Sequence, residues 1–98
     1  MANLDLENLR YKELNVFSTY NATCSKYRIE DAFYNGEGDK IIFKCTEYDR
    51  MNGTYSSKIA IYLYSTKDVE EMIKPHSYAV IPKTSASGIG YYERAYIY

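Results

Sequence analysis

Residues 40–64 read KIIFKCTEYDRMNGTYSSKIAIYLY, two apolar runs separated by a turn. In the first run Ile41, Phe43 and Cys45 recur at every second position, the period of a strand with one buried face. In the second, Tyr55, Ile59, Ile61 and Leu63 fall on one side, and Lys58, Ala60, Tyr62 and Tyr64 on the other. Between the runs, Asp49 to Gly53 contains Asn52-Gly53, a dipeptide that supplies the positive φ of a tight hairpin turn. The stretch therefore predicts an antiparallel hairpin over 40–64. Placing the aliphatic residues of both runs inward makes Ile41, Phe43, Ile59, Ile61 and Leu63 a core face. Lys44, Tyr48, Lys58, Tyr62 and Tyr64 are then expected outward.

Upstream, Asn35-Gly36-Glu37-Gly38-Asp39 is a second turn, because its glycines and Asn accept positive φ. Leu14 to Cys24 alternates and predicts one long strand. Residues 27–34 predict another, with Tyr27, Ile29 and Phe33 on one side. Asp31 breaks that alternation, and a short helix from Ile29 to Tyr34 is the competing reading. Residues 1–12, with Leu6 and Leu9 on one helical face, read as a short helix or an N-terminal arm.

Downstream, Ser65 is an N-cap with Asp68 at the third helical position. Val69, Met72 and Ile73 form an apolar stripe, and Pro75 stops the helix near Lys74. This predicts one short helix near 66–74. Tyr78 to Ile81 reads as a short strand that Pro82 ends or confines to a sheet edge. Thr84 to Gly90 is a small-residue loop, and Tyr91 to Tyr98 a final strand. The fold class is α+β: a single domain over 1–98, with a small antiparallel sheet of about four to six strands and one helix on a face. Sequence neighbours are expected to pair, and the last strand is expected at an edge.

The chain has 98 residues, enough for one core and little more. A surface site therefore fits better than a deep catalytic cavity. The net charge of −1 has its signs interspersed, which argues against strong binding to duplex phosphates. Two cysteines and one histidine make neither a disulfide framework nor a zinc site. No metal or cofactor is expected. The start, Met-Ala-Asn-Leu-Asp-Leu-Glu, lacks the charged and apolar regions of a signal peptide, and no run is long enough to span a bilayer. These features predict a cytoplasmic protein with both thiols free. Asn21-Ala22-Thr23 and Asn52-Gly53-Thr54 match the glycosylation pattern by chance in that setting.

Thirteen Tyr against three Phe and no Trp is an unusual aromatic balance. Several Tyr stand seven or fourteen residues apart, but turns interrupt the spacing, so no coiled coil follows. Tyr presents a broad apolar ring and a polar tip, which suits half-buried sheet positions and binding surfaces alike. In the last strand Tyr92, Arg94, Tyr96 and Tyr98 share a side. With the expected outer side of the hairpin, they point to a Tyr/Arg-rich face made of Tyr62, Tyr64, Tyr92, Arg94 and Tyr96. Tyr and Arg are enriched where protein interfaces concentrate their binding energy.

The functional expectation is a non-enzymatic protein-binding module, an accessory or inhibitor protein. Size and composition fit, for example, a virus- or mobile-element-encoded antagonist of a host enzyme. Three alternatives stand beside it. The same face is able to stack single-stranded bases or a nucleotide, though that needs a positive groove. His76, with Arg94 and a Tyr, is a candidate acid/base for a small nuclease-like enzyme, without any motif spacing to support it. An edge strand offers a route to a homodimer. The Thr84–Gly90 loop has hydroxyls and amides for an anion, but a strand follows it instead of the helix that anion loops normally open.

Overall fold

The computed structural model describes residues 4–98. After a 3-10 turn at Leu6–Leu9 come β1 (Glu13–Ser18), β2 (Thr23–Tyr34), β3 (Lys40–Asp49) and β4 (Thr54–Ser65). Helix α1 (Thr66–Ile73) leads to β5 (Ala79–Thr84) and β6 (Gly90–Ile97). The six strands form one antiparallel sheet in the order β4-β3-β2-β1-β6-β5. The α+β reading of the sequence therefore holds. The sequence-defined arm reduces to one 3-10 turn; Met1 to Asn3 lie outside the described residues.

The expected long strand over 14–24 is two strands. Thr19 to Ala22 turn the chain, Ala22 with a φ of 53°, and Ser18 pairs with Thr23 across the turn. The competing helix at Ile29–Tyr34 does not form. A bulge explains the misplaced Asp31. Ile29 pairs with Cys45 and Asp31 with Lys44, so Glu30 is an extra residue on β2. An extra residue reverses which side chains face which way. Tyr27 and Ile29 are buried before the bulge; after it, Ala32 and Tyr34 turn toward the core and Phe33 outward.

The hairpin over 40–64 forms, but its second strand is reversed relative to expectation. Tyr64 lies opposite Ile41, Tyr62 opposite Phe43 and Ala60 opposite Cys45. Directly opposed residues share a face, so the Ile41-Phe43-Cys45 core face carries Tyr64, which is 4% exposed. Ile59, Ile61 and Leu63 point away from the core and are 50%, 61% and 55% exposed.

Ser65 caps α1: the Asp68 amide donates to its Oγ at 3.1 Å. Val69 and Met72 are buried beneath the helix. The helix touches β3, β4, β5 and β6, strands from both halves of the sheet. The sheet therefore curls round α1, whose far end returns the chain to the opposite edge. The 3-10 turn adds Leu9 on the same side against β2. One sheet face is thus covered and the other open. The last strand is interior, between β1 and β5, because residues 14–18 of β1 pair with it. The edges are β4 and β5. No helix among the described residues is long and apolar enough to cross a membrane.

Candidate functional site

The five residues expected to form one docking face divide between the two faces. Tyr62 and Tyr64 belong to an interior aromatic cluster. Tyr62 stacks on Tyr64 with ring centroids 6.0 Å apart, and Tyr64 meets Phe43 at 5.9 Å. The Tyr62 hydroxyl donates to that of Tyr27 at 2.6 Å. Burial pushes the hydroxyl pKa values of Tyr62 and Tyr64 far up, so both stay neutral. Their expected outward placement is corrected: the register of the hairpin turns them toward α1.

Tyr92, Arg94 and Tyr96 lie on the open face. Arg94 sits opposite Val80 of β5 and Phe17 of β1; Tyr96 sits opposite Asn15. Tyr92 and Arg94 are exposed, and Tyr96 is half-buried. The Arg94 guanidinium lies over the Tyr78 ring, 5.4 Å from its centroid. Cation–π contact of this kind orients an Arg without neutralising it. The guanidinium makes no ion pair among the described residues. Phe17, Cys24, Tyr78, Arg94 and Tyr96 line a shallow cleft of about 320 Å³. Phe17, Tyr78 and Val80 were not legible as site residues, because strand order alone brings them beside Arg94.

The middle of the open face is different. Lys26 pairs with Glu13 at 3.8 Å, and Arg28 with Glu30 at 2.5 Å. Lys26 also covers the Tyr48 ring at 4.3 Å and Arg28 the Tyr55 ring at 4.6 Å. Burial raises the Glu30 carboxyl, but hydrogen bonds from Arg28 and Thr46 outweigh it and hold its pKa below the ordinary carboxylate value. These two cations are spoken for by the chain's own carboxylates and rings.

Beyond this strip, at the β4 edge, the face becomes aliphatic. Phe33 of β2 and Ile42 of β3 adjoin Leu63, in register across the three strands. Ile61 and Ile59 continue the row. Exposed apolar rows of this kind are uncommon on a surface with no partner.

His76 lines a second cleft with Tyr78, Tyr96 and Tyr98, and Arg94 lies over the Tyr78 ring. His76 is exposed at the end of α1 with a φ of 58°. The cleft it lines, about 440 Å³, has no Asp or Glu side chain among its described residues. In the Thr84–Gly90 loop, the Gly88 amide donates to the Ser85 carbonyl and the Ile89 amide to Ser85 Oγ. Those amides are used within the loop. Cys24 is exposed, whereas Cys45 is buried and its thiol is pushed up to about 12 by that burial. No cluster of metal-ligating side chains occurs among the described residues. No protein-family model, curated protein or solved structure matches this chain.

Proposed function

We propose that the protein is a non-enzymatic binding module that docks another protein on the open face of its sheet, as an accessory or inhibitor of that protein. The observation that carries the reading is the asymmetry of the sheet. One face is filled by α1 and the 3-10 turn, while the other leaves Tyr92, Arg94, Tyr78 and Val80 exposed together. Rigid aromatic area around an uncompensated guanidinium is the chemistry that binds a carboxylate-bearing protein surface. The reading keeps Tyr92, Arg94 and Tyr96 as the docking residues and adds Phe17, Tyr78 and Val80.

Binding of single-stranded nucleic acid is less well supported. A stacking platform needs free cations along its groove, and Lys26 and Arg28 are already paired.

The test is affinity capture with the tagged chain, with and without nuclease, followed by titration of the captured protein. Arg94→Ala and Tyr92→Ala should each weaken binding by about 1–2 kcal/mol or more, with unfolding curves close to wild type. Full binding by both folded variants would sink the reading. Loss of all capture on nuclease treatment would replace it with nucleic-acid binding.

A further inference from the structure

We infer that β4 is a self-pairing edge: two copies of this chain join β4 to β4 antiparallel, in a register centred on Ile61. The inference goes beyond the docking face, which lies on β1, β6 and β5, and does not depend on it.

The two edges of the sheet differ in kind. Edge strands normally carry Pro, Lys or other charge that deters strand addition. The β5 edge has Pro82 and Lys83. The β4 edge from Ile59 to Ser65 reads IAIYLYS, without charge, Pro or Gly. No side-chain or backbone hydrogen bond outside the β3 ladder is made by the backbone of Ile59 to Tyr64 among the described residues. The partner edge must be equally uncharged to leave no ion desolvated, and a second β4 meets that condition. With Ile61 on the two-fold axis, Ile61 faces itself, Ile59 faces Leu63 of the other copy, and Ala60 faces Tyr62. Lys58, the lone charge of β4, then faces a tyrosine, Tyr64, and not its own counterpart. The exposed aliphatic rows of both copies become one.

The size of the contact sets its strength. At roughly 3.4 Å per residue the segment is about 24 Å long, and a sheet with its side chains is about 10 Å thick. The edge then covers on the order of 240 Å² per copy, far below the ~800 Å² per partner of standard stable interfaces. The dimer is therefore a weak, reversible contact, below the size of standard stable interfaces.

The test is sedimentation of the full chain over a dilution series up to 1 mM. The wild-type mass should rise from the monomer toward the dimer with concentration. Ile61 is exposed, so Ile61→Lys and Ile61→Glu should fold and stay monomeric, each placing like charges at the axis. An equimolar mixture of the two should regain dimer, since residue 61 of one copy meets residue 61 of the other. Amide exchange gives a second readout that needs no variant: protection over 59–65 should increase with concentration. A wild-type monomer at 1 mM would overturn the inference and leave the edge to a strand from a different protein. Association that survives in both Ile61 variants, or a mixture that stays monomeric, would overturn it equally. Tyr92→Ala should dimerise normally, which separates failure here from failure of the docking face.

Discussion

Tyr27 and Tyr62 meet hydroxyl to hydroxyl at 2.6 Å on the covered face, whereas the hydroxyl of neighbouring Tyr64 bonds to no group of the described chain. Equal chemistry in unequal surroundings predicts unequal costs. Tyr27→Phe should destabilise by about 1 kcal/mol, the net value of one lost bond. Tyr64→Phe should stay within about 0.5 kcal/mol of wild type or stabilise, because it removes a buried polar group that has no partner in the chain. Urea unfolding of the two variants checks the contrast; equal losses would mean that the Tyr64 hydroxyl has a partner. Glu30 makes a second prediction at this scale. Its carboxylate accepts from Arg28 at 2.5 Å and from Thr46 at 2.8 Å, and its pKa is depressed from the ordinary 4.5. A depressed pKa means that the charged form stabilises the fold above the unfolded-state value and loses that contribution as pH falls through the folded-state value. Stability should therefore drop below pH 4.5, and Glu30→Gln should flatten part of that drop. An identical acid limb in the variant would show that Glu30 is not coupled to folding.

The helix and the hairpin were both legible, for local reasons. Ser65, Asp68 and Pro75 mark the start and stop of α1 through backbone bonding and φ restriction. Ser65→Ala should cost about 1 kcal/mol, with Ser65→Asn recovering most of it, since either side chain can accept from the Asp68 amide; thermal melts of both variants decide this. The turn at Thr19–Ala22 was not legible, because it lacks Gly and Pro and places Ala22 at positive φ. Nor was the bulge at Glu30, which appears in the sequence only as an unexplained Asp31. The reversal of β4 was accessible in part. A loop with an even number of residues pairs odd positions of one strand with even positions of the other, and Arg50–Gly53 is such a loop, closed by the Asp49–Thr54 pair. A two-residue Asn52-Gly53 turn would have imposed the same parity. Counting from the Asp49–Thr54 pair puts Tyr62 opposite Ile41 and Ala60 opposite Phe43; the irregularity between Thr46 and Tyr48 then shifts the partners to Tyr64 and Tyr62 without changing the face.

At the scale of the whole molecule, the curl of the sheet around α1 decides what is surface. It turns a pair of apolar-looking strand faces into one interior and one exterior. Arg94 stands among Tyr78, Val80 and Phe17 only because β6 lies between β1 and β5. The same strand order leaves β4 at one edge and the Tyr92–Arg94 region toward the other. Partner capture tested at Arg94 and self-association tested at Ile61 therefore probe separate surfaces. The two outcomes should be independent, since the residues lie strands apart with no shared neighbour.

What the sequence determined by itself was local. It set the hairpin over 40–64, the capped helix, the turns at Asn35–Asp39 and Asp49–Gly53, and the alternation that makes this an α+β sheet protein, all through backbone preferences acting within a few residues. Which face of each strand is buried, which strands are edges, and whether Tyr62 and Tyr64 or Tyr92 and Arg94 meet the solvent were decided by the tertiary structure. The reason is physical. Alternation separates two faces but does not label them, and the label comes from register, from the extra residue at Glu30 and from the side on which α1 packs, each of which depends on residues far apart in the chain.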